Sequence, residues 1–420
     1  MKIAVIGAGW AGIAAAVEAT AQSHPVTLYD MAPQCGGRAR SVEMNGLVLD
    51  NGQHIMIGAY TEVLRLMRQV GADSQRLLLR TPLALLDASG VGLRLRAGRP
   101  VFAFGRAVAE HPTWTWQAKV ALIQSAIGWG LRGFRCSESI DVATLTRRMP
   151  SALREELIDP LCIAALNTPS RQASAKVFLR VLRDALFAGP GSSDLLLPVV
   201  RLSELFPDPA LTWLRKQGVP IHLSTRVIEL RASQGRWLVD DRAFDRVVIA
   251  ATSSEAARLV APIAPAWAQI ARELRYEPIV TVYLRSVGTT LPAPMLSLFS
   301  DADSPAQFVF DQGQLGGPGG LLALVISGAQ RWIDAGAQVT LAAATAQAQR
   351  ALGHLLRAPL LPVQLLSEKR ATFRCSPELR RPTGRIDAGL WAAGDYVDGP
   401  YPATLEGAVR SGIQAINADR

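Results

Sequence analysis

The chain has 420 residues, of which 49% are hydrophobic and 19% charged; this suffices for two or three packed domains and excludes a disordered protein. Its 44 basic residues outnumber 35 acidic ones to give a net charge of +9, and only five of the basic residues are lysines. Because the arginines are scattered singly, we expect no nucleic-acid partner. The charge suits either an anionic membrane surface or an ordinary solvated one.

The four cysteines point to a reducing compartment. Cys35, Cys136, Cys162 and Cys375 are far apart, form no C-x-x-C pair and have no close histidine partner, so we expect neither disulfides nor a metal site. The first residues lack the charged, apolar and small-residue regions of a signal peptide. No run of about 18 uncharged apolar residues is present to form a spanning helix. We therefore predict a cytoplasmic protein.

The first thirty residues predict a strand, a helix and a second strand. Residues 2–6 are apolar and end at glycines, residues 10–22 are rich in alanine, and residues 26–29 are again apolar. A short apolar strand that turns through glycines into a helix is how a Rossmann-type βαβ unit begins.

Three glycines separate this strand from the helix in the pattern G-x-G-x-x-G. Gly7 makes the tight turn, Gly9 lets the backbone approach a pyrophosphate, and Gly12 lets the helix pack closely on the strand. Asp30 ends the second strand eighteen residues after Gly12, where its carboxylate can accept hydrogen bonds from ribose hydroxyls. Together these residues predict a dinucleotide site.

The segment G-G-R-A-R at residues 36–40 indicates which dinucleotide binds. Gly36 and Gly37 admit a close backbone approach, and the guanidinium of Arg38 can meet a phosphate or a flavin edge bidentately. Amine-oxidase-like flavoproteins carry this G-G-R segment just after the ribose-binding acid, whereas simple NAD dehydrogenases do not. The segment therefore favours FAD.

The rest of the chain reads first as helices and then mainly as strands. Helical spacing recurs at residues 60–70 and 117–131, and a Gly/Pro/Ser cluster at 189–193 marks a boundary. The strand-like segments are residues 221–223, 226–230, 236–239, 246–250, 279–284, 307–310, 321–326 and 390–393.

These patterns predict an α/β fold of the amine-oxidase and phytoene-desaturase type. A Rossmann-type FAD-binding domain with a parallel sheet joins a second, α+β substrate domain. The FAD-binding domain is discontinuous and takes residues 1–80, 195–270 and 380–420. The substrate domain takes residues 81–194 as its helical part and residues 271–379 as its sheet.

The last thirty residues are also expected to contact the cofactor. Gly394 and Asp395 follow a buried strand, where the carboxylate can reach the ribityl chain. Ala403, Thr404 and Leu405 then open a final helix, whose N-terminal amides suit the electron-rich edge of a reduced flavin. The nucleotide site is therefore opened by the first dozen residues and closed by the last thirty.

The sequence resembles the squalene-associated FAD-dependent desaturases, the hydroxysqualene dehydroxylase family. The resemblance covers nearly the whole chain and is carried by residues 7–12 (GAGWAG), 36–41 (GGRARS), 49–54 (LDNGQH), 164–169 (AALNTP) and 402–408 (PATLEGA). Asp30 departs from the glutamate commonest in the wider superfamily, and the backbone of Val227 is implied to pair with adenine. The FAD-binding residues expected in all are Gly7, Gly9, Trp10, Ala11, Gly12, Asp30, Gly37, Arg38, Val227, Gly394, Asp395, Ala403, Thr404 and Leu405.

The resemblance implies reductive removal of an allylic hydroxyl. Hydroxysqualene and reduced FAD give squalene, water and oxidised FAD, on the bacterial route to hopanoids. The leaving hydroxyl needs a proton donor, for which His54, positioned by Gln53, is the first candidate, and Tyr396 and Tyr401 are alternatives. A long isoprenoid substrate also needs an apolar tunnel, which the leucine-rich middle of the chain and residues 279–284 could line.

Trp114, Trp116 and the stretch 119–135 could place the substrate entrance on a bilayer, since tryptophan and arginine suit its interface, although core packing explains them equally well. We therefore expect peripheral contact with the inner face of the cell membrane. Neighbouring squalene-pathway enzymes are further expected partners.

Two other functions stay open. A carotenoid or phytoene-type desaturase would run the hydride transfer in the opposite direction on a similarly long substrate. A non-catalytic scaffold of a terpene pathway would bind FAD that no substrate oxidises or reduces. A flavin amine oxidase fits less well, because those enzymes usually place a lysine near the flavin and this chain has few lysines.

Overall fold

A computed structural model describes residues 1–44 and 46–418 of the chain. Its strands are β1 (Ile3–Ile6), β2 (Val26–Tyr29), β3 (Ser41–Met44), β4 (Leu47–Asp50), β5 (Met56–Ile57), β6 (Leu78–Thr81), β7 (Ala84–Leu86), β8 (Gly92–Arg94), β9 (Leu195–Pro198), β10 (Ile221–His222), β11 (Leu230–Ser233), β12 (Arg236–Val239), β13 (Arg242–Phe244), β14 (Arg246–Ile249), β15 (Tyr276–Arg285), β16 (Met295–Ser297), β17 (Phe308–Asp311), β18 (Leu321–Ile326), β19 (Leu361–Phe373), β20 (Arg385–Asp387) and β21 (Leu390–Ala392).

Its α-helices are α1 (Trp10–Ala21), α2 (Thr61–Gln69), α3 (Ser74–Leu77), α4 (Pro100–Glu110), α5 (Trp116–Leu131), α6 (Val142–Leu145), α7 (Ser151–Leu153), α8 (Asp159–Leu166), α9 (Ala175–Phe187), α10 (Leu202–Leu205), α11 (Pro207–Lys216), α12 (Ser253–Val260), α13 (Pro265–Glu273), α14 (Gln330–Ala335), α15 (Ala337–Leu352) and α16 (Leu405–Asn417). A π-helical turn, Arg154–Ile158, joins α7 to α8, and a 3-10 turn, Gln312–Leu315, follows β17.

Five parallel strands form the sheet that carries the glycine motif. Their order is β10-β2-β1-β14-β21, with β20 antiparallel at the edge. The strands β1, β2 and β14 are buried along their whole length, which suits a parallel sheet covered on both faces. The chain order reverses between β1 and β14, and open α/β sheets bind their ligands at such a switch point. The glycine loop leaves β1 into this crevice.

A second sheet is antiparallel, in the order β16-β17-β18-β15-β19. One face of the strand β15, which lies between β18 and β19, packs with residues of α15, and the other face packs with residues of β4, β9, β17 and β18. Because side chains alternate along a strand, β15 separates two hydrophobic clusters. The strand order, together with the α-helices around both sheets, confirms the predicted α/β fold class, while the limits assigned to the two domains stay a prediction.

The predicted strand at 226–230 is wrong for residues 226–229. The amides of Ile228 and Glu229 both donate to Asp240 Oδ1, at 3.0 Å each, so they are not available to a strand ladder. The strand β11 begins only at Leu230. A turn carboxylate therefore replaces backbone pairing in this segment.

The expectation that residues 279–284 line a substrate tunnel needs a correction. Val280, Val282 and Leu284 are fully or nearly fully buried and pack in the cluster that includes α15. Only the alternate residues Ile279 and Tyr283 belong to the cluster on the opposite face of the sheet. The strand period of two assigns half of this segment to the core.

Candidate functional site

The glycine loop has the geometry that its sequence predicts. A Cβ on Gly7, whose φ is +112°, would lie 2.5 Å from the carbonyl oxygen of Ala250, and a Cβ on Gly12 would lie 1.8 Å from that of Gly7. A Cβ on Gly9 would meet only the Cα of Gly37, at 3.8 Å. Gly7 and Gly12 are thus required by the protein itself, whereas Gly9 and Gly37 present bare backbone to each other across the loop.

Asp30 fixes this loop as well as offering a ribose acceptor. Its Oδ2 accepts from the amide of Ala8 at 2.5 Å, and its Oδ1 accepts from the amide of Ala32 at 2.7 Å. Each carboxylate oxygen has a further lone pair for a hydroxyl. Asp30 therefore joins the end of β2 to the glycine loop beside it.

Trp10 and Ala11 have buried side chains, so only their main-chain amides can face a cofactor. The indole Nε1 of Trp10 donates to the carbonyl of Ala39 at 3.1 Å, and its ring contacts that of Phe206. The side chain thereby anchors the 36–40 segment against α1. Gly9 is the N-cap of α1 and supplies no side-chain cap, which leaves the first amides of the helix available to an anion.

Arg38 and Asp395 form an ion pair that joins the two halves of the predicted site. Arg38 Nη2 lies 2.5 Å from Asp395 Oδ1, and Nη1 donates to the carbonyls of Ala371 and Arg370 at 2.7 and 3.2 Å. Burial disfavours the charged guanidinium, but the adjacent carboxylate outweighs it and raises the pKa of Arg38 above its ordinary value. The pair fixes the G-G-R segment against the C-terminal loop.

The start of α16 completes this side of the crevice. Thr404 is its N-cap and accepts from the amide of Gly407 at 3.1 Å, so the helix begins at Leu405, as predicted. The amide of Gly394 donates to Ser411 Oγ at 2.8 Å, which ties the preceding loop to the same helix. Ala403 directly precedes the cap.

Val227 is buried, and its carbonyl accepts from Arg258 Nη2 at 2.8 Å. Its amide is therefore the main-chain group left to face an adenine. This residue lies just before β11 and outside the strand that was expected there.

Gln53 belongs to a chain of hydrogen bonds. Its Nε2 donates to the hydroxyl of Tyr283 at 3.2 Å, and Tyr283 in turn donates to the carbonyl of Asp50 at 3.1 Å. Gln312 Nε2 donates to Gln53 Oε1 at 3.3 Å. The Asp50 carboxylate accepts from the amide of Leu202 at 3.0 Å, so it binds backbone.

His54 lies next to this chain as a neutral imidazole. Its Nδ1 is 3.2 Å from the carbonyl of Gly52, so Nδ1 carries the hydrogen and Nε2 is left as an acceptor. Burial lowers the pKa of His54 from its ordinary 6.5, and the positive charge of Arg38 lowers it further. A neutral ring with this tautomer has no proton to give from Nε2.

Tyr396 and Tyr401 differ in what their hydroxyls contact. Tyr396 is 2% exposed, and its hydroxyl has no hydrogen-bond partner among the described residues. Burial raises the pKa of Tyr396, with a further contribution from the charge of Asp395, so the phenol keeps its proton. Tyr401 Oη accepts from Arg180 Nη2 at 2.9 Å, and its ring lies between the guanidinium groups of Arg180 and Arg410. Of the two predicted tyrosines, Tyr396 is thus the one whose hydroxyl makes no hydrogen bond to any described residue.

Sequence comparison identifies the family of the chain. The family model described as flavin containing amine oxidoreductase matches residues 10–417. The chain belongs to this family. It is accordingly a flavin-dependent oxidoreductase, as predicted.

Individual relatives of this flavoprotein carry more specific names. It is 28% identical to the hydroxysqualene dehydroxylase of Sinorhizobium fredii, over 99% of this chain and 97% of the relative, and 27% identical to that of Rhodopseudomonas palustris, over 98% and 96%. Zeta-carotene desaturase of Capsicum annuum is 26% identical over 69% of this chain and 54% of the relative. The predicted resemblance to hydroxysqualene dehydroxylases is confirmed, whereas the desaturase likeness is partial.

Solved structures share the fold of this flavoprotein. An oxidoreductase from Methanosarcina mazei superposes with a TM-score of 0.76 at 17% identity, covering 100% of both chains. Cyclohexylamine oxidase from Brevibacterium oxydans gives 0.70 at 15% identity, over 99% of this chain and 98% of that one. The two structures therefore carry information about architecture.

The crevice of this flavoprotein has groups that suit a flavin cofactor. Beside the uncapped α1 and the bare Gly9–Gly37 backbone, two buried polar groups have no partner in the described chain: Arg40 Nε in the G-G-R-A-R segment and the Tyr396 hydroxyl after Asp395. Buried polar atoms are normally satisfied, so these groups indicate a polar ligand. The first lies in the segment expected at a phosphate or a flavin edge, and the second follows the acid expected at the ribityl chain.

Arg381 is a residue that sequence reasoning missed. Its guanidinium donates to main-chain carbonyls only, those of Asp395, Tyr396, Val397, Gly399 and Tyr401. No salt bridge to Arg381 occurs in the part of the chain that the structure describes, and burial lowers its pKa. One side chain thus holds the whole loop from residue 395 to residue 401. An arginine pair before a proline carries no signal of this role.

Glu406 was also missed. It is 1% exposed, accepts from the amides of Glu62 and Val63 at 3.1 and 3.0 Å, and pairs with Arg410. It therefore caps the N-terminus of α2 from the first turn of α16, although burial raises the pKa of its carboxyl group. An acidic residue in the first helical turn is so common that its distant partner leaves no mark in the sequence.

Proposed function

We propose that this flavoprotein uses FAD to remove the allylic hydroxyl of hydroxysqualene reductively and to give squalene. The observation that carries the proposal is the likeness to relatives named hydroxysqualene dehydroxylase along at least 98% of the chain. The segment 49–54, one of those that carry the resemblance, contains Gln53 and His54, two of the candidate catalytic residues. The carotene desaturases, by contrast, match in part.

The proposed reaction is a two-electron reduction. Hydroxysqualene and reduced FAD give squalene, water and oxidised FAD: the C–O bond breaks, a C–H bond forms at the same carbon, and the hydroxyl leaves with a proton as water. Reduced FAD, when bound, supplies the hydride and with it both electrons. The protein has to hold the alcohol beside the flavin, provide the proton and exclude competing water.

We assign the proton to Tyr396. Its phenol is protonated because burial raises its pKa, and no described residue accepts its hydrogen bond. The neutral His54, with Nε2 as an acceptor, suits a role in orienting the substrate hydroxyl rather than in protonating it. Gln53, held by Tyr283 and Gln312, has one amide hydrogen left for the same oxygen.

The surroundings of Gln53 suit a long hydrocarbon. Leu49, Leu195, Met295, Phe308 and Phe310 belong to one apolar cluster on the inner face of the antiparallel sheet. Ile55, which directly follows His54, and Ile57 pack against this cluster. An apolar layer with a few fixed polar groups is how sites for hydrophobic ligands are built.

The proposal that the flavin is FAD rests on the contacts offered by both ends of the chain. We propose that the uncapped amides of α1 and the Gly9–Gly37 backbone bind the pyrophosphate, that Asp30 binds the adenosine ribose, and that the Val227 amide faces adenine. Arg38 and Asp395, fixed by their ion pair, then lie toward the ribityl chain and the flavin ring.

Anaerobic single turnover tests the proposal. Protein with FAD reduced by dithionite should become oxidised on addition of hydroxysqualene and should yield squalene in a one-to-one ratio. If oxidised enzyme instead desaturates phytoene and leaves hydroxysqualene untouched, the protein is a carotenoid-type desaturase. A protein that binds FAD but exchanges electrons with neither compound is a scaffold.

We also propose that the protein works at the inner face of the cell membrane as a peripheral protein, because its substrate is insoluble and its net charge is +9. Within residues 1–44 and 46–418, no helix has the length and apolar character needed to span a bilayer.

A further inference from the structure

The helix α5 exposes large apolar side chains on its outer surface, beside the two exposed glutamines Gln117 and Gln124. Its sixteen residues, WQAKVALIQSAIGWGL, contain one charged side chain, that of Lys119. Trp116, Ile127 and Leu131 are 75%, 56% and 85% exposed. Surface helices of globular proteins normally place charged and polar residues on their solvent side, so this exposure needs a partner.

Three of the exposed residues and the half-buried Val120 form one stripe, which we call the α5 stripe: Trp116, Val120, Ile127 and Leu131. Spacings of 4, 11 and 15 residues place them within about 60° of one another around the helix, along about 22 Å of its axis. Ala118, Leu122 and Trp129 are buried and hold the opposite side to the core. The stripe therefore points away from the protein.

The single charge of α5 fixes the helix rather than solvating the stripe. Lys119 Nζ donates to the carbonyl of Ala109 at 2.7 Å, which ties α5 to the end of α4. Phe102 on α4 is also exposed, at 72%.

Positive charge follows directly after the stripe. Arg132 and Arg135 are exposed, and in the described chain no carboxylate lies within salt-bridge distance of either. An apolar face that ends in unpaired arginines is complementary to a bilayer whose headgroups are anionic, because the side chains enter the acyl boundary while the guanidinium groups stay at the phosphates.

We infer that the α5 stripe docks on an anionic bilayer, with the helix axis in the plane of the membrane. A sixteen-residue helix is about 24 Å long, shorter than the hydrocarbon core of about 30 Å, so it can lie on the membrane but not cross it. The reason for docking rests on the proposed function, since a hydroxylated triterpene dissolved in the bilayer has to be collected from it.

Trp114, which the sequence placed at the same interface, does not take part. It is 6% exposed, its indole Nε1 donates to Glu156 at 2.7 Å, and its ring stacks on that of His111. The expectation that Trp114 contacts lipid is therefore wrong, and of the two tryptophans only Trp116 is exposed to do so. The two tryptophans differ because Thr115 is the N-cap of α5, so Trp116 is its first residue and Trp114 lies in the loop before it.

Vesicle flotation of the full-length flavoprotein tests the inference. Wild-type protein should float with vesicles of equal parts phosphatidylcholine and phosphatidylglycerol, and less with phosphatidylcholine alone. Leu131→Ser and Trp116→Ser should each weaken partitioning by about tenfold or more, as expected when a large apolar side chain no longer leaves water. Phe299→Ser is the matched control, because Phe299 is 79% exposed in the loop after β16, outside the stripe. It should float like wild type.

Charge reversal gives an independent arm. Arg132→Glu combined with Arg135→Glu should abolish the difference between the two vesicle types and the salt sensitivity of binding. Equal flotation of the wild type and the stripe variants would overturn the inference. So would a wild-type dimer, measured by light scattering, that Leu131→Ser converts to monomer, because the stripe would then cover a second copy of the chain.

Turnover separates this inference from the proposed function. With hydroxysqualene in detergent micelles, the stripe variants should reoxidise reduced FAD like wild type, whereas with substrate in vesicles they should be slower. Flotation without any turnover in micelles would leave the docking surface standing and refute the hydroxysqualene reaction.

Discussion

Gly412 of α16 contacts Ala11 of α1 so closely that a Cβ on Gly412 would lie 2.1 Å from the carbonyl oxygen of Ala11. The contact brings the last helix of the chain against the first one, directly beside the glycine loop. The backbones can approach this far only because one of the two residues has no side chain. Helix packing at the cofactor crevice therefore depends on a single glycine in α16.

Gly412→Ala should destabilise the protein by about 1–3 kcal/mol through overpacking, despite the better helix propensity of alanine. Gly105→Ala in α4 is the matched control, because a Cβ there meets nothing within 4 Å. The control should stabilise by about 0.5–1 kcal/mol. Urea denaturation of both variants measures the two effects, and equal shifts of the same sign would contradict the close contact.

Gly9→Ala should separate cofactor binding from folding. The new methyl group has room in the protein, where its nearest neighbour is Gly37 Cα at 3.8 Å, but it enters the space assigned to the pyrophosphate. We expect a folded apoprotein with unchanged denaturation midpoint and little bound flavin, measured by absorption after reconstitution. Gly12→Ala, which would place a Cβ 1.8 Å from Gly7 O, should instead lower stability directly. Full flavin occupancy in Gly9→Ala would show that the pyrophosphate does not bind at Gly9.

Arg381→Lys should weaken flavin binding although it keeps the positive charge. A lysine has three donors and no planar fork, so it cannot satisfy the five carbonyls of the 395–401 loop. We expect the flavin dissociation constant to rise by about tenfold or more, which corresponds to about 1.4 kcal/mol. Arg385→Lys, on the exposed edge strand β20, is the control and should bind FAD normally. Identical flavin binding by both variants would show that Arg381 does not contribute to the flavin site.

Tyr396→Phe should slow reoxidation of reduced FAD by hydroxysqualene by about 10²- to 10⁴-fold, the usual size of a general-acid contribution. It should not destabilise the fold, because the hydroxyl that it removes is buried without a partner. If Tyr396 donates, its raised pKa keeps the wild-type rate level through neutral pH. A rate that falls as pH rises through a value below 6.5, together with normal turnover by Tyr396→Phe, would return the role to His54.

Protonation of His54 should also appear in stability. Because burial lowers its pKa below 6.5 in the folded protein, the unfolded chain binds the proton more readily. Stability linked to His54 is therefore complete above about pH 6.5 and is lost as the pH falls through that value toward the lower folded pKa. His54→Gln should reduce the acid loss of the urea midpoint, with His354→Gln, on an exposed side chain, as the control. An unchanged acid loss would show that His54 is not the group responsible.

The sequence predicts the parts of the site that rest on backbone shape. Gly7 and Gly12 can be predicted from the sequence, because a positive φ or a close carbonyl oxygen excludes every residue that has a side chain. The N-cap Thr404 can be predicted too, since it directly precedes its helix. Arg381 and Glu406 were missed because they bind backbone groups far along the chain, and such contacts leave no periodic or spaced pattern. The failed strand at 226–229 has the same cause, since the carboxylate of Asp240 replaces the ladder.

The position of β21 has a consequence for synthesis. The strand β14 pairs with β1 on one side and with β21 on the other, and β21 ends at residue 392. At 5–20 residues per second, β14 waits on the order of ten seconds on the ribosome with one edge unpaired. A full cofactor crevice cannot form in that interval, because α16 has not yet been made. Flavin loading is therefore a late event in the life of each chain, and truncations near the C-terminus should yield aggregated protein rather than a stable apo form.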